Sequence, residues 1–147
     1  LQLLKVMART LEDLVAYQFA EEFKLEIYSL INASPGARKD FDFRDQLRDA
    51  AAGVASTTSE GFGRGNAGEF ATFLRYSLAS LKEAVTHLHD GVHRGHFSEL
   101  ELRTALVWAQ RCRRATLNLY HTQRDLAAKD RAAKRKGLPK RARGRTS

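Results

Sequence analysis

The chain has 147 residues, 43% hydrophobic and 29% charged, with 25 Lys/Arg against 17 Asp/Glu for a formal net charge of +8. That length suits one domain with a sizeable core, and the composition is that of a globular protein rather than a fibrous one. No apolar run approaches the roughly 18 to 20 residues that a membrane-spanning helix needs, and one cysteine, Cys112, excludes an internal disulfide framework and suits a reducing cytoplasm.

The charge is unevenly placed. Residues 1–128 hold 16 Lys/Arg and 16 Asp/Glu, whereas residues 129–147 hold nine Lys/Arg against Asp130 alone. The excess of positive charge therefore belongs to the C-terminal segment. No signal-peptide pattern opens the chain. Met7-Ala8-Arg9-Thr10 looks like a natural start, so residues 1–6 are expected to lie upstream of it; residues 1–9 are expected to form an extension ahead of a folded unit spanning 10–128.

Thr10, with Asp13 three residues on, reads as the capped start of a first helix. Ala16, Ala20, Phe23, Ile27 and Leu30 follow at alternating spacings of four and three, the stripe of a helix in a bundle. Val15, Phe19 and Ile31 broaden that stripe. Ser34-Pro35-Gly36 is expected to end the helix. After a charged linker, Ala37 to Asp42, a second helix is expected near Phe43 with Asp42 as its cap. Its inward face would be Leu47, Ala50, Ala51 and Val54. Small residues such as Gly53, Ala55 and Ser56 should let its backbone approach its neighbours closely.

Glu60-Gly61-Phe62-Gly63-Arg64-Gly65 then reads as a sharp corner, because glycine reaches positive φ at little steric cost. Gly61 and Gly63 are accordingly expected to be backbone requirements, with Glu60 and Arg64 able to pair across the corner. Asn66 and Glu69 form a capping pattern for a third helix over about Ala67 to His89, fading through Gly91 and Gly95. Ser98 and Glu101 form another, opening a fourth helix that keeps its period to about Ala127. From Lys129 onward large apolar side chains almost vanish, and residues 129–147 are expected to be a disordered basic tail. The architecture these elements predict is all-α, an antiparallel up-down-up-down four-helix bundle.

Gln46-Leu47-Arg48, Ala50-Ala51, Val54, Ser56 and Glu60-Gly61-Phe62-Gly63-Arg64 together resemble the central signature of one bacterial family. These are the small four-helix-bundle proteins encoded in intervening sequences of 23S ribosomal RNA genes. Glu69-Phe70, Phe73-Leu74 and Ser80-Leu81 with Glu83 continue the match, and Leu11-Glu12-Asp13-Leu14, Tyr17-Gln18 and Leu25-Glu26-Ile27-Tyr28 resemble its first helix. Asp49, Ala55 and Thr57 depart from the pattern. The resemblance implies a homo-oligomer, most often a pentamer. The fold is also similar to the accessory variability determinants of diversity-generating retroelements, which implies a place beside a reverse transcriptase and its RNA.

Candidate chemistry is sparse. His87, His89, His93 and His96 cluster within ten residues, and His89 and His93 could share a helix face as metal ligands. Gly91 and Gly95 interrupt that helix and no Asp, Glu or Cys completes a site, so a solvated helix end with histidines near its negative dipole is the expected reading. Cys112 falls on the apolar stripe of the fourth helix, where a buried thiol is inert. The glycine-rich corner lacks the strand and the Lys-Ser/Thr pair of a phosphate loop. Ser56-Thr57-Thr58-Ser59 offers hydroxyls without a base, and bonding back to helix carbonyls is the expected role. Arg103, Arg111, Arg113, Arg114 and Arg124 read as a solvated helix face.

Lys129, Arg131, Lys134, Arg135, Lys136, Lys140, Arg141, Arg143 and Arg145 form the candidate nucleic-acid-binding set, for RNA or DNA alike. Without aromatic residues for stacking, their contact would be with phosphates. The expected function is a non-enzymatic, oligomeric, nucleic-acid-associating accessory or scaffold without a cofactor or a membrane partner. The alternative is a protein–protein interaction module with no nucleic-acid role.

Overall fold

A computed structural model describes residues 10–137 of the chain, and every regular element in that span is helical. Thr10 donates its backbone N–H to the Asp13 carboxylate at 3.0 Å, but what it starts is a single 3-10 turn, Leu11–Asp13. Leu14 then takes an extended backbone and turns its side chain into an apolar cluster with Phe70 and Leu74, so helix α1 begins afresh at Val15–Ala33.

Pro35 does not simply stop the chain. The Ser34 hydroxyl accepts the Ala37 N–H at 3.1 Å and caps a short helix, α2, Pro35–Lys39, in which proline occupies the first turn, where no N–H is needed. Helix α3, Phe41–Gly63, follows with Asp40 at its N-cap and the expected cap, Asp42, inside its first turn, so the expected linker is largely helical. Helix α4, Ala67–His93, opens on Asn66, whose side chain accepts the Glu69 N–H at 3.0 Å. It runs through Gly91 and breaks only at Gly95, where φ is +77°. The reason is close packing: a Cβ on Gly91 would lie 2.6 Å from the Phe97 ring and 2.8 Å from that of Phe43.

Ser98 and Glu101 exchange both bonds of their capping box at 3.1 Å ahead of helix α5, Arg103–Gly137. The expected end at Ala127 and the expected disorder after Lys129 are both corrected for the part of the tail that is described. Residues 129–137 continue α5. A new helix there would need buried surface to offset its nucleus, but elongating an existing one does not. Alanine, lysine and arginine are strong helix formers, and the cations suit the negative end of the helix dipole. Lys140, Arg141, Arg143 and Arg145 lie outside the described residues.

The four long helices contact one another around a ring, α1 on α3, α3 on α4, α4 on α5 and α5 on α1. Contacts between Gly61 and Phe73, Thr58 and Ser77, and Gly53 and Ser80 run α3 and α4 in opposite directions. Phe23, Ile27 and Ile31 of α1 meet Leu47 and Val54 of α3, Leu81 and Leu88 of α4, and Ala105 and Cys112 of α5 in one core. Most stripe residues expected from periodicity are buried, whereas Val15, expected to broaden the first stripe, is exposed.

Candidate nucleic-acid interface and signature corner

The corner is a clasp between helices. Glu60 to Gly63 belong to the last turn of α3, and the reversal is confined to Arg64, Gly65 and Asn66. Gly65, with φ of +67°, supplies the left-handed residue; neither Gly61 nor Gly63 has positive φ. Gly61 is required for a different reason: a Cβ there would sit 2.6 Å from Phe73 Cβ and 2.9 Å from the Phe70 ring. Gly63 meets nothing within 4 Å. Phe62 packs edge-on to Phe70 at 6.0 Å. Arg64 pairs with Glu60 at 3.0 Å and lays its guanidinium over the Phe73 ring at 4.9 Å. Glu60, Arg64 and Phe73 thus engage one another at the end of the α3–α4 seam.

Below the corner, hydroxyls fasten the same seam. Ser56, Thr57 and Thr58 bond back to carbonyls one turn earlier. The Ser77 hydroxyl crosses from α4 to the Val54 carbonyl at 2.9 Å and meets Thr58 Oγ1 at 3.0 Å, fully buried. At the other end of the bundle, Asp40 Oδ2 lies 2.8 Å from His96 Nε2 and 3.0 Å from Arg94 Nη1. The hydrogen bond from His96, followed by that from Arg94, holds the Asp40 carboxyl below the usual carboxylate range. His87 lies near Glu83 at 3.5 Å, while His89 and His93 are exposed. Among the described residues no group of three or more His, Cys, Asp or Glu is placed to hold a metal ion.

Cys112 is completely buried, and its Sγ donates to the Ala16 carbonyl at 3.8 Å. Burial pushes its thiol up to about 11, so it is a packing residue rather than a thiolate nucleophile.

Helix α5 is where charge concentrates. It carries ten Lys/Arg against Asp125 and Asp130, a net +8, while residues 10–102 hold nine Lys/Arg against fifteen Asp/Glu, a net −6. The near-neutral bundle expected from the sequence is thus an acidic set of helices carrying one basic helix. Within the bundle part of α5, Arg111 lies over Trp108 at 5.3 Å and Arg124 over Tyr120 at 5.7 Å, so both are partly engaged. Arg103, Arg113 and Arg114 are exposed. Ala127 is the last buried residue of the helix. Beyond it Lys129, Arg131, Lys134, Arg135 and Lys136 are all exposed.

Residues 12–118 match the family model for the 23S rRNA-intervening sequence protein. The chain belongs to that family. No curated protein and no solved structure matches it. The matched span includes the corner and the Thr58–Ser77 seam and stops within α5, ahead of the exposed basic end. No helix among the described residues is long and apolar enough to cross a membrane.

Sequence reading missed two elements of this arrangement. The Asp40–His96–Arg94 cluster joins residues more than fifty positions apart, and only His96 had drawn notice, as part of a histidine run. The Ser77 crossing carried no local signal beyond a hydroxyl on an apolar stripe.

Proposed function

We propose that this protein is a non-enzymatic, homo-oligomeric scaffold, an up-down-up-down bundle that associates with nucleic acid through its basic C-terminal segment. The observation that carries the reading is the segregation of charge: α5 holds net +8 and ends in five exposed cations, against net −6 over residues 10–102. Such a field attracts a polyanion to one helix and repels it from the others. The resemblance to pentameric bundles supports the oligomer and, by analogy of fold alone, a place beside a reverse transcriptase and its RNA in the cytoplasm. The family's description names a genetic location, not a reaction.

A truncation ending at Ala128 tests this. It removes residues whose described part is exposed throughout, so far-UV circular dichroism per residue of bundle and mass by light scattering should be retained. RNA and DNA binding should be lost. For the full chain, each neutralised phosphate adds roughly 0.7 to 0.9 to the negative slope of log affinity against log salt. Affinity should fall steeply from ~50 to ~200 mM salt. Undiminished binding by the truncated chain would move the site to Arg103, Arg113 and Arg114. A monomeric mass at micromolar concentration would remove the oligomer.

A protein–protein interaction module is the second reading, favoured by Phe41 and Tyr76, which are 63% and 54% exposed on α3 and α4. It requires partner capture that survives loss of the tail.

A further inference from the structure

From Ala128 to Gly137 every residue of α5 is exposed, so ten residues of α-helix, about 15 Å, stand clear of the bundle. At 3.6 residues per turn, Ala128 and Ala132 lie one above the other on the side opposite the buried Ala105, Ala109, Cys112 and Thr116. Arg131 and Arg135 flank this alanine strip on one edge, and Lys129 and Lys136 on the other. Ala128, Arg131, Ala132, Arg135 and Lys136 line a shallow concavity along it. Asp130 falls on the opposite side of the helix, and Asp125, one turn earlier, is paired with Arg124 at 3.8 Å. None of the four flanking cations has an ion-pair partner among the described residues.

A helix with its side chains is about 10–12 Å across, and the major groove of B-form DNA is about 12 Å wide. The corresponding groove of A-form RNA is too deep and narrow to admit side chains. Single strands are held by stacking on aromatic rings, and residues 128–137 contain none. A slim strip between two rows of cations matches a groove floor between two phosphate walls. We infer that the free end of α5 docks in the major groove of B-form duplex DNA as an intact helix. Its alanine strip faces the floor, with Arg131 and Arg135 on one wall and Lys129 and Lys136 on the other. This rests on the nucleic-acid association proposed above and adds to it the form of nucleic acid and the requirement for helical geometry.

The test uses the full chain and three fluorescent probes of equal length: a DNA duplex, an RNA duplex and a single-stranded DNA. Polarisation titrations at fixed salt should rank the DNA duplex first. Ala132→Pro breaks the helix without changing any charge, at an exposed side chain. It should weaken binding to the DNA duplex by about tenfold or more, as several phosphate contacts are lost together, and leave the other two probes unchanged. Ala132→Ser, which keeps the helix, should retain duplex binding. If Ala132→Pro binds the DNA duplex as tightly as the parent chain, or the RNA duplex or single strand binds best, docking in the groove is wrong while charge-led association stands. If no probe binds, both readings fall.

Discussion

The α3–α4 seam and the free end of α5 are opposite kinds of helix. In the seam, Gly61 lies under Phe73 and Phe70, and the Val54 carbonyl takes hydroxyls from both Thr58 and Ser77 at 2.9 Å. Neither backbone could move without breaking a contact of the other. At the end of α5 every residue from Ala128 to Gly137 is exposed. There the helix persists on intrinsic propensity and on continuity with the turns before it. The seam shows what tertiary contact demands of a sequence. The free end shows how much helix a sequence makes unaided, and leaves its charges available to a partner.

That contrast can be broken most severely at Gly61. Gly61→Ala must displace Phe73 or Phe70 and should cost about 1–3 kcal/mol, whereas Gly63→Ala, in open space two residues on, should stabilise by up to ~1 kcal/mol through helix propensity. Thermal melts of the pair decide whether close approach, rather than the turn, explains the corner's first glycine. Comparable in size is Thr58→Val, which removes a buried hydroxyl and one partner of Ser77 and should cost about 1–2 kcal/mol by urea denaturation. Cys112→Ser places a hydroxyl in the same kind of interior at α1–α5 and should cost about 1–3 kcal/mol, while native Cys112 should react with a thiol reagent only as fast as the bundle opens.

A smaller effect is expected at Asp40. Its carboxyl is depressed below the ordinary 3.8 by His96 and Arg94, so the folded state binds its proton less readily than the unfolded state. The stability it contributes is present above the ordinary value and is lost as pH falls through the folded one. Asp40→Asn should therefore flatten the acid limb of a stability–pH curve below about pH 4. The smallest effect is at the free end: Ala132→Pro should leave the melting temperature unchanged, because the helix it interrupts supports nothing.

Much of the bundle was legible because burial follows periodicity. Ala16, Ala20, Phe23, Ile27 and Leu30 were placed inside α1 by spacing alone, and all are buried. The Asn66–Glu69 and Ser98–Glu101 caps are equally local, each closing within three residues. The corner is legible, and Gly65 does supply its positive φ, but Gly61 is required by a close neighbour instead and Gly63 by neither, since a positive φ and close packing both call for glycine. The basic end is legible as a charge run but its helix is not, because it persists on propensity and continuity with α5 rather than on any apolar face.

By itself, then, the order of residues determined the helical class, the four long amphipathic segments, the Asn66 and Ser98 caps and the excess of positive charge toward the C-terminus. Each depends on residues within a few turns of one another. Only the tertiary structure decided that Gly61 and Gly91 are helical residues under aromatic rings, that Ser77 and His96 fasten distant segments, and that α5 outruns the bundle as a basic helix. Those outcomes depend on which surfaces meet and where the neighbouring helices end, distances that no single stretch of sequence encodes.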